Sequence, residues 1–236
     1  MRLKRRSPCL VMAALVLLLL PATALAQDVT VSAEGAYNAQ YLDVYLYANI
    51  NTGNLCSYGV KLNYNTTLLS TPTATKNDAI WYFGTTSAKQ PYMNPDTSTP
   101  GQIIFIGGKL DTGAPTAGVT GTRVLLGSVR FVRQNSDPPG ATPESYFFGA
   151  TPLALGKTGD YKNFVTTAGV VKDGAGVSFT AKVRERGDAD GNGAININDI
   201  RTLRQLMGDP NASPWVDCDA DGAVTINDVR CLRQKL

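Results

Sequence analysis

Asp188-Ala-Asp190-Gly-Asn192-Gly193-Ala194-Ile-Asn196-Ile-Asn198-Asp199 is followed, 29 residues on, by Asp217-Cys-Asp219-Ala-Asp221-Gly222-Ala223-Val-Thr225-Ile-Asn227-Asp228. Each stretch has side-chain oxygens at positions 1, 3 and 5, glycine at 6, a usable carbonyl at 7 and an acid at 12. Calcium is a hard cation that takes six to eight oxygens, and this spacing wraps them around one point. The expected ligands of a first Ca2+ are Asp188, Asp190, Asn192, the Ala194 carbonyl and Asp199. Those of a second are Asp217, Asp219, Asp221, the Ala223 carbonyl and Asp228. A single Asp-x-Asp-x-x-Gly is weak evidence, because these are ordinary turn residues. Two complete loops, each running into a matching helix, are strong evidence.

The helices begin inside the loops. Asn196 and Thr225 suit the N-cap, and Asp199 and Asp228 fall three residues later, where a carboxylate completes a capping box. Ile197, Ile200, Leu203 and Met207 recur at helical spacing, as do Ile226, Val229, Leu232 and Leu236. These faces are expected as the core between two helices. On another face Asn198, Arg201 and Gln205 are repeated as Asn227, Arg230 and Gln234. That face is either a binding surface, since Arg makes planar, directional hydrogen bonds, or a solvated face copied by duplication. Residues 187–236 carry eight Asp against five Lys+Arg, with most of the acids inside the loops. Without a cation these acids repel, so metal binding is expected to be coupled to folding.

Upstream the pattern changes. Residues 27–183 show about nine short apolar-alternating segments: around 29–31, 41–50, 58–64, 79–83, 102–106, 124–132, 146–155, 162–165 and 177–183. Gly, Pro, Asn and Asp separate them, which predicts an all-β sandwich. The Thr/Pro-rich stretches near 70–75 and 94–100 read as surface loops. Arg184-Glu-Arg-Gly187 is a very short linker, so the two domains are expected to touch.

Residues 1–26 read as a signal peptide: four bases, an apolar run from Leu10 to Leu20, then Ala24-Leu25-Ala26 before a cut at Gln27. The run is too short to span a bilayer, so the protein is expected to be secreted and not integral to a membrane. Four of the 22 bases leave with this segment, so 18 remain against 19 acids. That balance argues against nucleic acid. Histidine is absent, which removes histidine bases, triads and His-ligated zinc. Only three Glu are present, and no motif pairs two carboxylates across a substrate, so no catalytic residues and no enzyme activity are expected. Cys9 leaves with the signal peptide, and Cys56, Cys218 and Cys231 are an odd number in an oxidising compartment. A Cys218–Cys231 disulfide is one arrangement, and Cys56 is then unpaired.

The duplicated loop–helix, with Asp at position 12 and no helix before the first loop, resembles the dockerin domain (type I-like) of cellulosome-type proteins over about residues 186–236. The resemblance implies a small all-α module that holds two Ca2+ and docks on a cohesin-domain protein. It implies recognition by Ile197, Asn198, Arg201, Arg204 and Gln205, and by Ile226, Asn227, Arg230, Arg233 and Gln234. The frequent Ser-Thr pair at positions 10 and 11 is replaced here by Ile-Asn. Less sharply, Tyr58-Gly-Val-Lys-Leu-Asn-Tyr-Asn-Thr-Thr-Leu-Leu69, Gly101-Gln-Ile-Ile-Phe-Ile and Leu126-Gly-Ser-Val-Arg-Phe-Val132 resemble a cohesin, with Asn65-Thr66 in place of Asp-Pro. This implies a nine-stranded jelly-roll sandwich that docks a partner, either a dockerin-bearing protein or a polysaccharide. Trp81 with Phe83, or Tyr82 alone, are the candidates for stacking on a sugar, and Tyr41, Tyr45 and Tyr47 are expected as buried or cross-strand pairs. The chain thus reads as a multidomain, secreted, non-catalytic adaptor of a carbohydrate-related extracellular complex. A carbohydrate-binding protein with a dockerin tether is the alternative.

Overall fold

The computed structural model describes residues 28–83, 93–110, 116–134, 142, 145–148, 164–169, 171–172 and 177–236. The expected signal peptide and most of the 146–155 segment lie outside them.

Eight strands form one hydrogen-bonded sheet: β1 (Val29–Tyr37), β2 (Tyr41–Asn63), β3 (Leu69–Lys76), β4 (Gln102–Gly108), β5 (Val119–Arg133), β6 (Phe164–Thr166), β7 (Val171–Lys172) and β8 (Val177–Glu185). A four-residue helix α1 (Ser145–Phe148) follows β5. Strand β2 organises the sheet. Its first half pairs with β1 and β5, its second half with β4 and β6, and residues 51–54 between them are exposed. Leu42, Val44, Leu46 and Ala48 of the first half and Tyr58, Val60 and Leu62 of the second enter the same core. The strand thus carries the sheet from one side of the core to the other. The Tyr58 hydroxyl donates to the Leu126 carbonyl of β5 (2.7 Å), closing the two sides on each other. Period-two alternation explains why the odd residues of the first half, Tyr41 to Tyr47, stand on the outer face.

Three expectations need correction. Residues 70–75 are not a loop but lie in β3, which among the described residues pairs only with β5. Its Thr residues favour extended backbone, and Pro72 sits at a register shift between Ser70 and Thr73, where an edge strand tolerates it. Residues 79–83 are not a strand. Asn77 holds a turn there through its carbonyl, which accepts from Ile80 and Trp81. Residues 145–148 are helical where a strand is expected.

The expected linker at 184–187 is partly strand. β8 lies parallel to β1 through the pair Tyr37↔Glu185, and the Arg186 amide donates to the Tyr37 carbonyl (2.8 Å). The chain turns only at Gly187, at φ +102, where a Cβ would lie 3.0 Å from Leu232 Cδ1. Helices α2 (Ile197–Leu206) and α3 (Ile226–Lys235) follow. Ile200, Leu203, Trp215, Val216, Val229 and Leu232 make a second core, which Ala36 of β1 joins. Each large buried side chain contributes about 1.5–3 kcal/mol. A core this small needs additional stabilisation from a cross-link or a metal. Among the described residues no helix is long and apolar enough to cross a membrane.

Candidate functional site

The two acidic loops are wound by their own side chains. In the first, Asp190 accepts from the Asn192 amide (3.1 Å) and Asn192 from the Ala194 amide (2.8 Å). In the second, Asp219 accepts from Asp221 (3.2 Å) and Asp221 from Ala223 (2.8 Å). Gly193 and Gly222, at φ +89 and +92, make the sharp turn in the left-handed region where a side chain is strained. Their amides donate back to Asp188 Oδ2 (2.9 Å) and Asp217 Oδ2 (3.1 Å).

The acid at position 12 ties each helix to its loop. Asp199 Oδ2 accepts from the Asn196 amide (2.7 Å) and Oδ1 from the Asp190 amide (3.1 Å). Asp228 Oδ2 accepts from Thr225 (2.7 Å), and Oδ1 accepts from Cys218 (2.7 Å) and Asp219 (3.2 Å). Both helices have full capping boxes on Asn196 and Thr225. Asp199 and Asp228 are fully buried, at the positive end of their helices.

The residues present fit a calcium ion. Carboxylate oxygens of Asp188, Asp190 and Asp199 lie within 4.8 Å of one another, and so do those of Asp217, Asp219 and Asp221. Asp188 Oδ1 and Asp217 Oδ1 are buried and have no hydrogen-bond partner. A buried carboxylate oxygen left alone is costly, and a cation would satisfy it. Burial pushes the Asp188 carboxyl above the ordinary range, and the Asp199 and Asp190 charges add to this. Burial does the same at Asp217, and the Asp228 charge adds to it. An all-oxygen set without Cys or His suits a hard ion.

The helical faces sort differently from the expectation. Ile200, Leu203, Val229 and Leu232 are buried, but Ile197 (58% exposed), Ile226 (51%), Met207 and Leu236 face solvent. The ten residues expected at a partner surface are all exposed: Ile197, Asn198, Arg201, Arg204 and Gln205, with Ile226, Asn227, Arg230, Arg233 and Gln234. Both copies orient Arg the same way, Arg201 donating to Asn198 Oδ1 (3.4 Å) and Arg230 to Asn227 Oδ1 (3.3 Å). Cys218 and Cys231 are joined, with Cα atoms 6.0 Å apart. Cys56 is free and half-buried, its Sγ 3.3 Å from the Val165 carbonyl.

On the sheet, Trp81 is fully buried, edge-on to Tyr58 at 4.9 Å, with Nε1 donating to the Leu125 carbonyl (3.1 Å). It is a core residue and presents no face to a sugar. Tyr82 and Phe83 are exposed. Tyr45 and Tyr47 are half-buried on the outer face, stacked at 6.4 Å. They stand in a cleft of about 380 Å3 whose far wall is Asp209, Pro210, Ala212–Pro214 and Gly222–Thr225.

Sequence reasoning missed Arg186 and Asp43. Arg186, 2% exposed, donates to Asp43 Oδ2 (2.7 Å) and to the carbonyls of Asp217 (2.7 Å) and Pro214 (3.2 Å). Asp43 also takes a two-pronged contact from Arg130 (2.6 and 2.9 Å). Burial alone would raise the Asp43 carboxyl, but the hydrogen bonds and charges of Arg130 and Arg186 outweigh it and hold the group below the ordinary range. An Asp amid an apolar-alternating strand was the available signal.

No family model matches the chain, and no curated protein matches it. Solved structures do match. The sixth cohesin of scaffoldin B from Acetivibrio cellulolyticus, in complex with a dockerin, is 10% identical at a TM-score of 0.41, over 66% of this chain and 97% of that one. The second type II cohesin module of an adaptor scaffoldin from the same organism is 12% identical at 0.34, over 67% and 95%. A solution structure of CaCohA2 from Clostridium acetobutylicum is 13% identical at 0.30, over 66% and 92%.

Proposed function

We propose that this is a secreted, non-catalytic adaptor whose C-terminal module, residues 188–236, holds two Ca2+ and docks on a cohesin-domain protein. The observation that carries the reading is the pairing of each acidic loop with an exposed Ile-Asn-…-Arg face. A buried carboxylate oxygen with no hydrogen-bond partner in each loop supports a cation there. Above each loop an isoleucine is more than half exposed beside an oriented arginine. Ile197 and Ile226 belong to neither core, and apolar anchors ringed by Arg and Asn suit the centre of a protein interface. The ion holds the loop, the loop sets the helix start, and the helix presents the face.

The sandwich is proposed to bind a second partner, such as a dockerin-bearing protein, in a carbohydrate-related extracellular complex. Polysaccharide is a second reading for that domain, favoured by the stacked Tyr45 and Tyr47 in their cleft and no longer by Trp81. Retention on insoluble polysaccharide that falls on Tyr47→Ala would support it.

The docking reading is tested with an immobilised cohesin-domain protein. Binding in calcium, lost with chelator and with the double change Ile197→Asp and Ile226→Asp, is the expected result. Binding that survives both would refute it.

A further inference from the structure

We infer that the second metal site is completed from the sandwich: Asp43 on β2 orients Arg186, Arg186 orients the position-1 ligand Asp217, and loading of that loop thereby stabilises the sandwich. This rests on the calcium reading of the loops.

Asp217 is the first ligand of loop 2. Its Oδ2 faces Arg186 Nη1 at 3.6 Å and accepts from Gly222, which leaves Oδ1 for the ion. The same Nη1 donates to the Asp217 carbonyl (2.7 Å), so Arg186 holds both ends of this residue. Its other terminal nitrogen is fixed on Asp43 (2.7 Å), and Asp43 is fixed in turn by Arg130 of β5. The guanidinium is planar and its hydrogen bonds directional, so a shift at Asp217 is felt at Asp43. The Arg186 side chain is 3% exposed and that of Asp43 9%, so water does not screen the relay. The Arg186 backbone is also held from both sides, its amide by Tyr37 of β1 and its carbonyl by Lys235 of α3.

Loop 1 is faced by a more exposed arginine. Its position-1 acid, Asp188, lies 3.8 Å from Arg184 Nε, and that side chain is 24% exposed. Arg184 donates to the Gly191 and Val183 carbonyls, both close in sequence. Groups behind a metal ligand orient it: at loop 2 these are the buried Arg186 and Asp43, at loop 1 the partly exposed Arg184 of β8.

The chain's two tryptophans report separately on the two cores, Trp81 in the sandwich and Trp215 in the C-terminal module. In the full chain carrying Trp215→Phe, thermal unfolding is followed by Trp81 fluorescence and by helical circular dichroism, with calcium and with chelator. Calcium is expected to raise both transitions together, by on the order of 5–10 °C at saturation. Adding Arg186→Met, or the milder Asp43→Asn should the first not fold, is expected to abolish the Trp81 shift while the helical shift remains. A helical shift without a Trp81 shift in the parent chain overturns the relay and leaves calcium binding standing. A Trp81 shift that persists in both variants also overturns it, because packing around Ala36 then carries the coupling. No shift in either signal overturns both the relay and the calcium reading.

Discussion

Loop 1 and loop 2 share one motif and one capping geometry, yet they are embedded differently. Loop 1 has three acids and a neutral Asn192 at position 5, whereas loop 2 has four acids, with Asp221 there. Loop 2 is cross-linked by Cys218–Cys231, and the matching residues of loop 1 are Ala189 and Thr202. Arg186 is buried behind loop 2, and Arg184 behind loop 1 is not. At position 4, Gly191 and Ala220 both adopt positive φ, +72 and +64, which suits only the glycine. The lesson is that the denser charge is paired with the stronger scaffold. Four crowded carboxylates repel more than three, and loop 2 has a covalent link and a buried cation to hold it. On the calcium reading, loop 1 should rely more on an ion for order.

Breaking the position-12 acids has the largest expected effect. Asp228→Ala removes the proposed position-12 ligand and the capping carboxylate, with three accepted backbone hydrogen bonds. The expected cost is about 4 kcal/mol, with calorimetric uptake falling to one ion per chain. Asp199→Ala should lose one ion too, and should lose more helical signal in chelator, because loop 1 has no disulfide and its facing arginine, Arg184, is partly exposed. Next comes the disulfide. Replacing Cys218→Ala with Cys231→Thr gives loop 2 the residues of loop 1 and removes a 13-residue cross-link. Chemical denaturation should show a loss of about 3 kcal/mol, concentrated in loop 2.

Acid separates the loops by another route. The folded Asp43 carboxyl is held below 3.8, its ordinary value. The stability it contributes is fully present above that value and fades as pH falls through the lower, folded one. Asp43→Asn should therefore flatten the acid limb of the stability profile. The smallest effect is at position 4. Ala220→Gly should stabilise by about 0.5–1 kcal/mol by relieving left-handed backbone, and Gly191→Ala should cost a similar amount.

The loops, caps and helices were legible because ligand spacing and capping are local. Asp188 to Asp199 lie within one turn of chain, and so do their mutual contacts. What stayed hidden was set by tertiary contacts. Ile197 and Ile226 share the helical period of Ile200 and Val229, and nothing in that period says which turn the partner helix reaches. Trp81 reads as part of an apolar strand, yet Asn77 bends the chain there and the ring drops into the core. β3 was masked by Thr and Pro, which serve edge strands and loops alike. Asp43 and Arg186 are 143 residues apart, and only the fold brings them together.

The central claim is that each loop holds a calcium ion that sets the docking face. Calcium titrated calorimetrically into the metal-stripped full chain, with circular dichroism on the same samples, tests it most directly. Two ions per chain, falling to one with Asp228→Ala, together with a gain in helical signal, is the predicted result. No uptake, or uptake unchanged by that substitution, would contradict it.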